Sequence, residues 1–305
     1  MTIIELISNA ITTLEKNGID SKNAYLLFYS LHKNIKDNIT FISQRNTELE
    51  TDFIHLYQTK IDELLEGKAL PRITKKVTFS NNNFTVYDDV FIPRVETELI
   101  IEFVEQFRKI NKVNFSNAVD ICAGTGVIGI SLLINKLTTH LTLIDKSEKA
   151  ILNIKENLIS YSLEADVIKT DYKVFLTNTK FKFDLLVCNP PYIKKDDLTY
   201  LDTTLLKNEP LDALIDFKSN SGISYYQFII EQIPNIMNDR FLIVFEIGYD
   251  QELVLTELLK SMNVNYNYYF LNDYNYLVRL LIIHSNNYEN IQNYWHYQDA
   301  RNASK

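Results

Sequence analysis

One stretch limits the possible folds more than any other: NAVDICAGTGVIGISLLI, residues 117–134. An apolar run ends in a loop holding Gly124, Gly126 and Gly129, and the loop passes at once into a second, uncharged apolar run. The spacing predicts a strand over 118–122, a tight turn and a helix over 127–135, the opening unit of a parallel α/β sheet. Only seven glycines occur in 305 residues, so three in one turn concentrate backbone freedom where a ligand needs close approach. Roughly 20 residues further on, LTLID ends in Asp145, an acidic side chain placed to hold ribose hydroxyls.

Taken literally, Gly124-x-Gly126-x-x-Gly129 also matches the fingerprint of dinucleotide-binding domains, which makes nicotinamide-linked oxidoreduction a competing reading. Three glycines that merely close a strand–helix turn are another. Asp120 weighs between them. An acidic residue just ahead of the loop suits a cationic amino-acid cofactor better than a pyrophosphate, and S-adenosylmethionine is such a cofactor.

The flanking patterns divide the chain. Ile3, Leu6, Ile7, Ala10, Ile11 and Leu14 have helical spacing that stops at Gly18; Ser21 is a plausible N-cap for KNAYLLFYSLHK; and residues 49–65 repeat the helical period up to Gly67. Residues 1–72 are therefore expected to form a small helical domain. KVTFSNNNFTVYDDVFI alternates around an asparagine cluster and predicts a hairpin in a linker over 73–91. From 92 onward, strands at 140–145, 164–168, 183–188 and 240–247 alternate with helices at 147–160 and 223–237, the pattern of a doubly wound parallel sheet. Two late strands near 265–271 and 276–284, joined by a short connection, predict an antiparallel edge. This domain is expected to end near 286, with a loose polar tail over 287–305 in which Trp295 anchors by packing.

A second punctuation lies in LLVCNPPYIKK, residues 185–195, where Pro190 and Pro191 follow a buried strand and stand between Asn189 and Tyr192. The nitrogen of a planar amide or amino group is a poor nucleophile, since its lone pair is delocalised. Two acceptors activate it: the side-chain oxygen of Asn189 for one N–H and the carbonyl of Pro190 for the other. Fixed φ at both prolines holds that carbonyl still, and neither proline brings an N–H to compete. Tyr192 is placed to stack on the amide plane. A turn that simply leaves a strand is the plainer reading.

Composition excludes several classes. With 46% hydrophobic and 23% charged residues the chain reads as an ordinary globular protein. No apolar run approaches the roughly 18 residues of a membrane span, and Glu5, Glu15 and Asp20 are unlike a signal or transit peptide, so a cytoplasmic protein without membrane association is expected. Cys122 and Cys188 are too few for a disulfide framework, and His32, His55, His140, His284 and His296 lack ligand spacing, so no metal is expected. The two cysteines end neighbouring strands and are expected to be close, buried and inert. A formal net charge of −8 and a pI near 5.3 argue against a broad footprint for nucleic acid. A protein or small-molecule substrate, no direct sequence-specific nucleic-acid contact and a monomer are expected.

NPPY after the fourth strand resembles the signature of methyltransferases that act on planar nitrogens, among them adenine-specific DNA enzymes and the glutamine methyltransferases of peptide chain release factors. The chain resembles the second group in FIPRVETELII (residues 91–101), KNEPLDALID (207–216), GISYYQFIIEQ, FEIGYDQ and DYNYLVR, which ends in Arg279. The resemblance spans nearly the whole chain. It implies a class I methyltransferase: a Rossmann-like, doubly wound sheet with an antiparallel C-terminal edge, and an N-terminal helical domain that recognises the substrate. It implies methyl transfer from S-adenosylmethionine to a glutamine side-chain nitrogen of a release factor. By the same resemblance Cys122, Ala123, Gly124, Thr125 and Gly126 line the methionine part of the cofactor, Asp145 holds the ribose, Asp171 and Tyr172 hold the adenine, and Asn189 borders the cofactor as well. Asn189, Pro190, Pro191 and Tyr192 bind the glutamine, with Asn189, Pro190 and Tyr192 carrying catalysis. The competing function is an amino-group methyltransferase directed at adenine or guanine in DNA or RNA, which would extrude its base and want a basic groove. Arg94, Glu96 and Glu98 either shape a lid over the cofactor or simply begin a helix. The chain departs from the family's pattern in GKALPRITKK (residues 67–76) and in IDFKSNSG (215–222), which replaces a glycine-rich turn.

Overall fold

The computed structural model describes residues 1–263, 265–293 and 295. The chain divides into two units: Met1–Lys76 together with Asp202–Asn208, and Val77–Leu201 together with the chain from Glu209 onward.

The first unit holds α1 (Ile3–Lys16), α2 (Lys22–Leu31), α3 (Asn38–Gln44), α4 (Thr51–Leu65) and the short α5 (Leu70–Thr74). Thr2 and Glu5 cap α1 reciprocally, each side chain accepting from the other's backbone N–H. Ser21 does not cap α2. It has helical backbone angles and makes no cap bond; Asp20 accepts from the N–H of Lys22 at 2.9 Å instead. Tyr57 is buried at the centre, its hydroxyl donating to the carbonyl of Ala24 at 2.8 Å. Segment 202–208 joins this unit through Asn208, whose side chain accepts from the N–H of Ala69 at 2.7 Å and donates to the carbonyl of Gly67 at 2.9 Å. Arg72 donates to the backbone carbonyl of Asn208 at 2.8 Å. The departing GKALPRITKK stretch is thus where this segment is received.

The second unit opens with a hairpin, β1 (Lys76–Phe79) and β2 (Asn82–Thr85), then a 3-10 turn at Val95–Glu98 and α6 (Leu99–Asn111). Next come β3 (Phe115–Ile121), α7 (Val127–Ile134), β4 (Thr138–Asp145), α8 (Glu148–Ser160), β5 (Asp166–Lys169), α9 (Tyr172–Asn178) and β6 (Phe183–Cys188). After β7 (Ile193–Lys194), the chain passes through α10 (Thr203–Asn208), which belongs to the first unit, and then α11 (Leu211–Leu214) and β8 (Ile215–Asp216). It ends with α12 (Ser224–Ile236), β9 (Met237–Glu246), α13 (Glu252–Ser261), β10 (Asn267–Asn272) and β11 (Val278–His284).

Seven strands form the central sheet in the order β10-β11-β9-β6-β3-β4-β5. β9, β6, β3, β4 and β5 run parallel, while β11 is antiparallel to both its neighbours, the expected antiparallel edge. The parallel strands read as continuous apolar runs because both sheet faces are covered. α6, α7 and α8, with Phe79 and Phe84 of the hairpin, pack on one face. α9, α12 and α13 pack on the other. Asn153 and Asn157, four apart on α8, bind the backbone of Thr85 and Tyr87, and Asn157 also donates to the carbonyl of Thr125 at 3.0 Å. The chain leads from β3 to β4 and β5 on one side and to β6 on the other, so a crevice opens at the carboxyl ends of β3 and β6.

The expected loose tail is partly anchored. Tyr288, Ile291 and Trp295 are buried, and Trp295 donates to the carbonyl of Asn272 at 3.3 Å beside the ring of Phe103. Residues 294 and 296–305 lie outside the described residues. Among the described residues no helix is long and apolar enough to cross a membrane.

Asp120 lies beneath the glycine loop, not in the crevice. It is fully buried, with Oδ2 accepting from the N–H of Gly129 at 2.9 Å and Oδ1 unpaired among the described residues. Its carboxylate serves the first turn of α7, which corrects the expectation that it faces a cationic ligand. Burial raises its pKa from 3.8 to about 7, the Gly129 N–H opposing and Asp145 adding to the shift. The folded chain therefore keeps this proton at pH values where the unfolded chain has lost it, so stability falls as pH rises from the unfolded value through the folded one. The cost above that window is on the order of 4 kcal/mol. Asp120→Asn should show a flatter melting temperature between about pH 5 and about pH 8 than the parent; parallel curves would mean that Asp120 does not titrate there.

Candidate functional site

A cavity of about 490 Å³ lies in the crevice, within the roughly 300–1,000 Å³ common for small-molecule sites. Its walls are the loop after β3 (Cys122–Thr125), the end of β4 with Lys146 and Ser147, the start of α9 from Thr170, and Asn189–Ile193 after β6. Asp89–Phe91, Pro93, Thr97, Pro210 and Asp212–Leu214 complete it.

The loop after β3 is built tightly. Cys122 has φ +61, in the left-handed region that a non-glycine residue enters at a cost of roughly 1–3 kcal/mol. The N–H of Ala123 donates to the carbonyl of Ile144 at 3.0 Å, and that of Gly126 to the carbonyl of Ala123 at 2.7 Å. Cys122, Ala123, Gly124 and Thr125 line the cavity as expected of their positions, but Gly126 does not. A side chain at Gly126 would press on Ile130 and Ile154 at 3.1 Å, so this glycine serves the packing of α7 on α8.

Asp145 is half-buried at the end of β4. Its Oδ2 accepts from the N–H of Gly124 at 2.9 Å and its Oδ1 from the N–H of Ser147 at 2.8 Å. Burial raises its pKa, and those two N–H groups pull the other way. Asp171 caps α9, accepting from the N–H of Lys173 at 2.8 Å, and faces Lys218 at 3.4 Å. Tyr172 lines the cavity with one face stacked on Tyr225, ring centroids 4.6 Å apart. Both cysteines are free. Burial, and next the neighbouring Cys122, push the Cys188 thiol upward; Cys188 is buried as expected, whereas Cys122 is part-exposed and lines the cavity.

Asn189, Pro190, Pro191 and Tyr192 all reach the cavity. Nδ2 of Asn189 donates to the hydroxyl of Thr97 at 3.3 Å, which turns Oδ1 away as an acceptor. The Tyr192 hydroxyl donates to Oε1 of Glu246 at 3.4 Å. Glu246 is buried, and burial raises its carboxyl to about 7 against the opposing pull of Thr97, Arg279 and Tyr192. Arg94 pairs with the buried carboxylate of Glu209 at 2.5 Å, and the same carboxylate accepts from the N–H of Ile92 at 3.0 Å. Of the two readings of Arg94, Glu96 and Glu98, the structure carries the plainer one: Val95–Glu98 form the turn before α6, none of the three lines the cavity, and Arg94 pairs with Glu209.

Comparisons place this geometry. The Methyltransferase small domain family model matches residues 97–208. A release factor glutamine methyltransferase of Clostridium botulinum is 30% identical over 265 residues, covering 86% of this chain and 92% of its own. One from Mycoplasma mycoides subsp. mycoides is 32% identical over 280 residues, covering 91% and 98%. A methyltransferase from Pyrococcus furiosus shares the fold, with a TM-score of 0.50 at 11% identity over 74% of this chain and 98% of that one. The chain belongs to the release factor glutamine methyltransferase family.

Four residues of this family member escaped sequence reasoning. Thr97 and Glu246 lie inside quoted motifs, but only the fold brings them to Asn189 and Tyr192. Gln251 donates through Nε2 to the carbonyls of Tyr192 at 3.1 Å and Gly222 at 3.0 Å, and its Oε1 accepts from the N–H of Gly248 at 2.9 Å. Gly222 has φ +71, and a side chain there would fall 2.2 Å from the carbonyl oxygen of Tyr192. A lone glycine ending a polar loop gave no sign of this. Gly124, with φ +56 and open space around it, supplies the control. Gly124→Ala should cost roughly 1–2 kcal/mol for its backbone alone. Gly222→Ala should cost at least about 2 kcal/mol more, because backbone must move. Urea unfolding of the two variants compares them directly, and equal losses would show that the approach to Tyr192 is not tight.

Proposed function

We propose that this enzyme transfers the methyl group of S-adenosylmethionine to the side-chain amide nitrogen of a glutamine in a peptide chain release factor. The observation that carries the reading is the orientation of Asn189: with Nδ2 given to Thr97, its Oδ1 is left to accept. Its cavity neighbour Pro190 supplies a second acceptor in its carbonyl.

The cavity fits the cofactor chemically. The Asp145 carboxylate keeps acceptor capacity beyond its bonds to Gly124 and Ser147, which suits ribose hydroxyls. The Cys122–Thr125 loop would hold the methionine part, Gly124 leaving open space beside it, and Asp171 with Tyr172 would hold the adenine. When bound, the cofactor supplies an electrophilic methyl group on a sulfonium.

The protein's own work is on the amide. Oδ1 of Asn189 and the carbonyl of Pro190 each take one N–H, which fixes the amide plane and raises the electron density on nitrogen. As the N–C bond forms and the methyl–sulfur bond breaks to leave a neutral thioether, the nitrogen would lose one of those protons by way of the accepting oxygen to solvent. Tyr192, anchored at its hydroxyl by Glu246, keeps its ring against the amide. The helical unit, which exposes Leu26, Ile39 and Ile42, is proposed to meet the protein substrate.

Incubation with methyl-labelled cofactor and either release factor, DNA or RNA tests the assignment: label on the factor's glutamine is expected, and label on nucleic acid alone would overturn it. Asp145→Ala should weaken S-adenosylmethionine binding by roughly 1.5–3 kcal/mol in calorimetry. An unchanged affinity would remove Asp145 from the cofactor site. Asn189→Ala should slow single-turnover methylation roughly a hundredfold, about 3 kcal/mol in barrier. Cofactor affinity should move far less, since Asn189 is assigned to the amide. Transfer within a few-fold of the parent would reduce NPPY to a turn that leaves a strand.

A further inference from the structure

The turn after β6 and the turn after β9 lie side by side, because the two strands run parallel with Cys188 opposite Phe245. Residues 246–251 therefore meet the Asn-Pro-Pro-Tyr turn, and they grip Tyr192 at both ends. The Tyr192 hydroxyl donates to Oε1 of Glu246 at 3.4 Å, and the Tyr192 carbonyl accepts from Nε2 of Gln251 at 3.1 Å. The backbone of Glu246 is tied down in turn, its carbonyl accepting from the buried hydroxyl of Tyr226 at 2.9 Å. Just beyond Tyr192, Lys194 pairs with Asp250 at 2.7 Å.

The bond from Gln251 has a sense that cannot be reversed. A glutamine amide can be turned end for end with little change of shape, so its partners decide which end points where. Those of Gln251 are all backbone groups: Oε1 accepts from the N–H of Gly248 at 2.9 Å, and Nε2 donates to the carbonyls of Tyr192 and Gly222 at 3.1 and 3.0 Å. A backbone N–H only donates and a carbonyl only accepts, so a flipped amide would set all three contacts wrong. The hydrogens also match, two on Nε2 for two carbonyls. Gln251 stands at the N-cap of α13 yet makes no cap bond with its side chain, which turns to Tyr192 and Gly222 instead. It is 1% exposed, so losing the amide would leave buried backbone groups without partners.

We propose that Gln251 is a positioning residue: by fixing the carbonyl of Tyr192 against that of Gly222, it sets the angle at which the Tyr192 ring meets the substrate amide. This deepens the glutamine-methylation reading and rests on it. Tyr192 borders the cavity and Gln251 does not, so Gln251 acts through Tyr192 and not by touch. With the carbonyl held at one end and the hydroxyl at the other, the ring keeps one orientation; without the first hold it pivots on its hydroxyl, and the near-attack geometry is lost.

Two variants separate the tasks of the amide. Gln251→Met keeps the length and loses every hydrogen bond. Gln251→Glu keeps an acceptor for Gly248, but for the two carbonyls it has no hydrogen as a carboxylate and a single one as an acid. Single-turnover methylation at saturating release factor should slow about tenfold or more in both variants, with S-adenosylmethionine affinity within about twofold of the parent by calorimetry. The carbonyl itself can be read by NMR. Tyr-Ile occurs once in the chain, at Tyr192 and Ile193, so labelling tyrosine at its carbonyl carbon and isoleucine at its nitrogen gives a single cross-peak. In substrate-free protein that carbonyl signal should move upfield in Gln251→Met, as a carbonyl does on losing a hydrogen bond. Should Gln251→Met fail to fold, Gln251→Glu carries both measurements. Transfer by Gln251→Glu within about twofold of the parent would show that the amide serves only the turn at Gly248, and would overturn the proposal. So would an unmoved Tyr192 carbonyl, or a cofactor affinity that falls as far as the rate, the mark of a loosened cavity. If the parent leaves the release factor unmethylated, the glutamine reading fails by itself, and the carbonyl signal still decides what holds Tyr192.

Discussion

The site depends on the parallel pairing of β3 with β6, in register from Ala118 opposite Leu185 to Ile121 opposite Cys188. Both strands end at the same level, so the glycine loop that follows one and the Asn-Pro-Pro-Tyr turn that follows the other open onto a single cavity. Their paired residues are fully buried and, Asp120 apart, apolar, which makes the register costly to shift: a slip of one residue would turn Leu185, Val187 and their partners to the opposite face. The pairing also sets Cys122 beside Cys188. Burial, and next the neighbouring Cys122, push the Cys188 thiol upward.

Around that pairing the protein keeps several carboxyl groups out of water. Asp120 holds the first turn of α7, Glu209 holds Ile92 and Arg94, and Glu246 holds Tyr192. Such groups are poor sources of stability, because desolvation cancels most of what their partners return. Each one instead fixes a piece of backbone or an aromatic ring that borders the cavity. The apolar packing on both sheet faces supplies the stability from which this is met, and the cavity's geometry is what it secures.

The long elements were legible because their periodicity is set locally. β6 and the helix from Ser224 have the boundaries that the pattern implies within a residue, and the glycine loop falls between its strand and helix as expected. What sequence could not supply was direction. Asp120 stands one residue before the end of β3, and nothing local says that its side chain turns under the loop toward Gly129. Ser21 read as the cap of α2, but its backbone angles are helical and the side chain of Asp20 takes the N–H of Lys22 instead. The pair β7 and β8 has two residues in each strand and exists only because tertiary contact aligns Ile193 with Ile215. Trp295 was expected to anchor the tail and does, but Tyr288 and Ile291 looked like part of a polar tail because apolar residues scattered among asparagines carry no period. All of the expected site residues line the cavity except Gly126, which differs from Gly124 only in what lies next to its Cα.

The turn after β6 is held from several directions, and this explains why the unusual stretch IDFKSNSG is compatible with it. Two prolines fix φ within the turn. Beyond it, β7 pairs with β8, and the carboxylate of Asp216 gathers the N–H of Lys218 at 3.0 Å and the N–H and hydroxyl of Ser224 at 2.8 and 2.7 Å. That one side chain does for the loop what flexible backbone would otherwise leave to chance. Glycine is then required at a single position, Gly222, where the loop returns against the carbonyl of Tyr192 and Gln251 bridges the two carbonyls. A glycine-rich turn would reach the same contact from many conformations; this loop reaches it from one. Less conformational entropy is then lost on closing it over the turn. The turn that carries Asn189 and Pro190 is consequently held, through the carbonyl of Tyr192, by the same contacts that close the loop.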